Sequence, residues 1–210
     1  MTEENLRLLE DVYKQYINPI KPLLAEIEAL YEKFPLQLYN EIRALNDHVA
    51  RAFVAVSEDK CKEQISKAES HINRIILDCY KCLNLYYKRE SERFDRSIVS
   101  VEPSDDAEMT LLLDYGKLSD DAVRFVEYAK LNEKQDDKEA SYKNFEKAYL
   151  SYRALHDFIV KNRRQVFRIH RKRILRFART TLWAVITFVL GCVITNNNQA
   201  IWDWLKSLFR

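Results

Sequence analysis

The sequence predicts an all-α protein: an antiparallel bundle of four or five helices, then a C-terminal membrane-anchoring helix and a short amphipathic tail helix. Three observations lead there. Apolar residues recur at helical spacing through most of positions 1 to 160. Only two glycines and four prolines occur in 210 residues, too few for most all-β folds and for a Gly-rich phosphate loop, a nucleophile elbow or a dinucleotide fingerprint. The segment TTLWAVITFVLGCVIT, Thr180 to Thr195, carries no charge. Hydrophobic residues at 47% and charged ones at 31% exclude both a disordered chain and a polytopic membrane protein.

The first helix carries the seam Tyr13, Tyr16, Ile20, Leu23, Ile27, Leu30 and Phe34, with Pro19 and Pro22 expected to kink it. Pro35 opens a second helix with Leu38, Ile42, Leu45, Val49, Ala52 and Val56 on one face. Ser57, followed by Glu58 and Asp59, reads as the cap of a third. Its seam is Ile65, Ala68, Ile72, Ile75, Cys79, Cys82 and Tyr86. The run SIVSVEPSDD, residues 97–106, breaks the pattern, with Ser104 as the next cap. A shorter helix from about Ser119 to Leu131 presents Ala122, Phe125 and Ala129. After a polar stretch from Asn132 to Lys138, a last helix carries Phe145, Tyr149, Tyr152, Leu155 and Ile159. No glycine or proline lies between Lys117 and Leu190, so nothing local prevents that helix from running on into the apolar segment.

Sixteen residues of helix span about 24 Å, short of the roughly 30 Å hydrocarbon core. Extending back to Phe177, with Arg179 snorkelling, gives about 28 Å. Eight strongly apolar side chains favour insertion by about 2.5 to 5 kcal/mol, a sum that four threonines and Gly191 reduce. Trp183 and Trp202 stand one bilayer thickness apart on a helical path, as an aromatic belt would place them. Beyond Asn196-Asn197-Asn198-Gln199, the tail IWDWLKSLFR puts Ile201, Leu205 and Leu208 opposite Asp203, Lys206 and Arg210, and Trp204 joins the interfacial set.

Charge divides the chain at the same place. From Lys161 onward there are 11 basic residues and one acid; the remaining 23 basic and 31 acidic residues give positions 1–160 a net charge of −8. Arg171, Lys172, Arg173, Arg176 and Arg179 immediately precede the apolar segment and match an anionic headgroup layer, at about 1 kcal/mol per basic residue. By the positive-inside rule they also place the acidic bundle in the cytoplasm. The expected organisation is a cytoplasmic bundle (1–160), a basic juxtamembrane helix (161–179), a transmembrane segment (180–195) and an interfacial helix (199–210). The acidic, polar start MTEENLRLLE is no secretory leader, so a lone late span inserts after translation, as in a tail-anchored protein.

The second helix contains EIRALNDHVARAF, in which Arg43 and His48 stand in an Arg-x4-His spacing. This resembles the motif of the HEPN superfamily, helical bundles that include dimeric ribonucleases and non-catalytic nucleotide or RNA binders. The resemblance covers roughly residues 36–95. It implies that His48 moves a proton and Arg43 holds the scissile phosphate, both acting across a dimer interface without metal. Ala44 stands where the family commonly has a polar residue. Five residues also separate the two side chains by about 140° on a regular helix. The plainer reading makes Arg43 a partner of Asp47 on a polar flank.

On the third helix His71, Arg74, Asp78 and Lys81 form a polar stripe that either builds a network with Asp47, His48 and Arg51 or faces solvent. Cys79 and Cys82 form a CxxC, but they fall mid-helix on the apolar seam, which favours core packing over a zinc site with Cys61 and His71. No metal, cofactor or disulfide is expected. The partners implied are an anionic bilayer and further copies of the chain, with nucleic acid only under the ribonuclease alternative. The function expected is a non-enzymatic, membrane-tethered interaction or signal-responsive module, and the short span and amphipathic tail extend that expectation to disturbing the membrane in a defence setting.

Overall fold

The structure is a computed structural model and describes residues 2–98, 103, 105–196, 199 and 203. Six α-helices and one π-helical turn follow in order, with no strand among the described residues. They are α1 (Glu3–Gln15), the turn Tyr16–Ile20, α2 (Lys21–Leu30), α3 (Leu36–Phe53), α4 (Glu58–Ile98), α5 (Asp106–Lys134) and α6 (Lys138–Asn196). The first predicted helix is thus divided in two. Asn18 leaves helical geometry at φ −146°, ψ 104°, immediately before Pro19, where proline has no N–H to give. Pro22 does not kink anything, because it sits in the first turn of α2, where the missing N–H costs nothing.

α4 is the axis of the fold. Its 41 residues span about 61 Å at the helical rise. Ser57 caps it, its Oγ accepting from the Lys60 N–H at 3.4 Å. The predicted seam is buried: Ile65, Ala68, Ile72, Ile75 and Cys79 are each at most 1% exposed. α3 runs antiparallel to α4, and α1 and α2 cover its neighbouring flank. α6 packs against α4 in the same direction as α4, with Tyr80 beside Tyr142 and Tyr149, and Tyr87 beside His156. α5 returns antiparallel along α6. Three predicted seam residues lie outside this core: Tyr13 is half-exposed, Phe125 of α5 is only partly buried, and Val56 stands past the end of α3 in the turn to α4.

α5 begins thirteen residues earlier than the sequence pattern suggested. Asp105 caps it, its Oδ1 accepting from the Glu108 N–H at 2.8 Å; Ser104 lies outside the described residues. Leu111 and Tyr115 are buried there, and the Tyr115 hydroxyl donates to Asp95 of α4. The turn to α6 uses Asp136 at φ 58°, a left-handed conformation that aspartate tolerates, and Asp137 caps α6 at the Ala140 N–H, 3.0 Å away.

Candidate functional site

α6 is one unbroken helix of 59 residues, about 88 Å long, so bundle and apolar segment form a single rod. Its packed part ends late. Val166 and Ile169 are buried, and the Lys172 Nζ lies 3.0 Å from the buried Glu108 carboxylate in the first turn of α5. The packed bundle therefore reaches beyond residue 160, into the stretch that the charge pattern assigned to the juxtamembrane helix.

Past Lys172 no residue of the helix is buried among the described residues. Arg171, Arg176 and Arg179 are exposed, and none of them forms an ion pair among the described residues. Arg173 follows on the same helix, its side chain outside the described set. Leu182, Trp183, Val185, Ile186, Phe188, Val189 and Leu190 are between 38% and 73% exposed. Seven such side chains left in water forgo roughly 10 to 20 kcal/mol of burial, as much as a whole domain's stability. This helix is long and apolar enough to cross a membrane, and none of its most apolar stretch is buried in the protein. The threonines are less costly than their hydroxyls suggest. Thr180 donates to the Arg176 carbonyl at 3.0 Å and Thr187 to the Trp183 carbonyl at 2.5 Å, so both are satisfied within the helix. Trp202, Trp204 and most of the predicted tail helix lie outside the described residues.

α3 places Arg43 and His48 on different faces of a regular helix. Arg43 is exposed, whereas His48 turns into the seam with α4. Its Nδ1 lies 2.8 Å from Gln64 Oε1, and its ring stacks on His71 at 5.2 Å between centroids and 21° between planes. His71 in turn has Nδ1 2.6 Å from Glu41 Oε2, and Gln37 donates to Asp78 Oδ2 at 2.8 Å. Gln64, His71 and Asp78 are seven apart, one position before the buried Ile65, Ile72 and Cys79. They form a polar ladder along the edge of the α3–α4 seam, and burial pushes the Asp78 carboxyl above its usual range.

The rest of the predicted stripe goes elsewhere. Lys81 pairs with Glu133 of α5 at 2.5 Å, and Arg74 is exposed. Asp47 pairs with Arg51 at 2.8 Å rather than with Arg43. Cys61 and Cys79 are buried in the core, and burial pushes the Cys79 thiol up to about 12. Among the described residues no three His, Cys, Asp or Glu side chains come together in a way that would hold a metal ion.

One cluster escaped the sequence reading. Glu26 of α2 accepts from the hydroxyls of Tyr87 on α4 and Tyr149 on α6, the latter at 2.6 Å. Arg153 donates to the Tyr149 hydroxyl at 3.1 Å and lies 3.9 Å from Glu26. Burial, then the bond to Glu26, pushes Tyr149 up to about 12 and Tyr87 higher still. The clasp ties α2 to the two long helices. Tyr149 was assigned to an apolar seam, and only the position of its hydroxyl relative to Glu26 would have revealed the bond.

Comparison with known proteins adds no relative: no family model, no curated protein and no solved structure matches this chain.

Proposed function

We propose that this chain is a membrane-associated helical module, held in an anionic bilayer by the apolar part of α6 and offering its acidic bundle as an interaction or signal-responsive domain in the cytoplasm. The observation that carries the reading is the continuity of α6 from packed core to an uncharged stretch that is unburied among the described residues. Arg176 and Arg179, free of carboxylate partners among the described residues, stand at the level where headgroup phosphates would meet them. The positive-inside rule gives the orientation. Because α6 is one rod, association of several bundles would gather their short anchors in one patch of membrane and disturb it.

Carbonate extraction of membranes from expressing cells tests this. The intact chain stays in the pellet, while a truncation after Arg176, which keeps Val166, Ile169 and Lys172, is released. Release of both proteins contradicts the reading. RNA cleavage through Arg43 and His48 has less support, because the two residues do not converge within a protomer and His48 is engaged with Gln64 and His71.

A further inference from the structure

The N-terminal helices are tied to the bundle differently from α3 to α6. α1 and α2 pack chiefly on α4, whereas α3 with α4 and α5 with α6 are the two most extensive pairings in the fold. The apolar side chains that α1, α2 and the turn between them bury are Leu9, Val12, Ile20, Leu23, Leu24 and Ile27. Near the start of α1 the side chain of Asn5 is fully buried, with neither Nδ2 nor Oδ1 paired. Such a group opposes the docking of its helix, because water would satisfy both atoms if the helix lifted. In the middle, Asn18 leaves helical geometry, so α1 and α2 are separate pieces. At the far end Tyr31 is extended, and its hydroxyl donates to the Cys82 carbonyl at 2.7 Å, which pins the chain before α3 begins. Among the described residues, two sets of polar contacts bind residues 2–30 to the rest. They are the exposed pair Glu4–Lys62 at 3.1 Å and the Glu26 clasp.

We propose that residues 2–30 are a strap that opens and closes as one unit about Tyr31, with the Glu26 clasp as its latch. Bonds from hydroxyls to a carboxylate are charge-assisted, and here two tyrosines from different helices supply them, whereas an exposed pair such as Glu4–Lys62 contributes little. The Glu26 side chain is 19% exposed, and a cavity of about 440 Å³ beside it, lined by Pro22, Leu23, Arg153 and Asp157, brings solvent to the latch. Segments that bury few apolar side chains open at a lower cost than the whole fold. Opening lets Asn5 meet water and uncovers the buried Tyr87 and Tyr149. A covered and an uncovered state are what a signal-responsive bundle requires, so the strap deepens the role proposed above and rests on it for its purpose.

Hydrogen exchange read by mass spectrometry on the intact chain in detergent micelles tests the strap, and its failure leaves the membrane anchor untouched. Amides of α2 report best, because α2 lies inside the chain and cannot fray from an end. They are expected to exchange together with those of α1, at least tenfold faster than the middle of α4. Glu26→Gln keeps the shape and removes the charge. It speeds exchange in α1 and α2 at least a further tenfold and leaves α4, α5 and α6 unchanged. Tyr87→Phe with Tyr149→Phe removes the same bonds from the other side and acts in the same direction. Asn5→Leu replaces the unpaired amide by an apolar group of similar volume and slows exchange in α1 and α2. Wild-type α2 exchanging at the rate of α4 overturns the proposal, as does a Glu26→Gln effect spread evenly over all the helices. A double tyrosine variant that leaves α2 unchanged overturns it too. So does an Asn5→Leu strap that exchanges no more slowly, which would mean that bound water already pairs Asn5.

Discussion

Lys172 of α6 reaches Glu108 in the first turn of α5 at 3.0 Å, an ion pair that ties the bundle to the rod that leaves it. The carboxylate is buried, whereas the lysine is about half-exposed. The pair lies eight residues before the uncharged segment begins.

Removing that contact loosens the joint. Lys172→Ala is expected to destabilise the bundle by about 1 kcal/mol, discounted for the exposure of the ammonium. Urea unfolding of the intact chain in micelles reads the change. A Lys172→Arg variant recovers most of it.

Under the proposed function, charge placed within the apolar part of α6 is expected to abolish membrane association without unfolding the bundle. Val185→Arg with Phe188→Arg adds roughly 5 to 7 kcal/mol to insertion, which exceeds the favourable sum of the segment. Circular dichroism at 222 nm is expected to be unchanged, with the protein moving from the membrane pellet to the supernatant.

The histidine pair on the α3–α4 edge is structural in this account. His48→Ala loses the stack on His71 and the contact with Gln64, and costs about 1 kcal/mol of stability. Arg43→Ala costs nothing measurable. RNA cleavage or cell toxicity lost in both variants would instead support the HEPN-like alternative.

The tyrosine clasp makes the protein sensitive to alkali. Tyr149 holds its proton up to about 12 in the folded state, above the ordinary tyrosine value of 10.0, because of burial and the bond to Glu26. A folded-state pKa raised in this way contributes stability that is intact below pH 10 and is lost as pH rises toward 12. Alkaline unfolding followed by tyrosinate absorbance is expected in that window, and Tyr149→Phe makes it shallower.

The heptad seam of α4 was legible because burial there follows directly from spacing: Ile65, Ile72 and Cys79 read correctly as core. The kink at Pro19 was equally legible, since proline's missing donor is a local fact. The first half of α5 was not. Gly116 and the acids around it weaken the local helical signal, and what holds that half is tertiary, through Leu111, Tyr115 and the bond to Asp95. The polar stripe of α4 was seen, but its division between α3 and α5 depends on packing direction, which one helix alone does not encode.

The central claim is that lipid surrounds the helix from Thr180 to Leu190. Trp183 reports on it directly once Trp202 and Trp204 are replaced by phenylalanine. In anionic vesicles containing lipids brominated along the acyl chain, the emission of Trp183 is expected to shift to the blue and to be quenched. Emission that stays at the wavelength of water-exposed tryptophan, with no quenching by brominated lipid, would contradict the account.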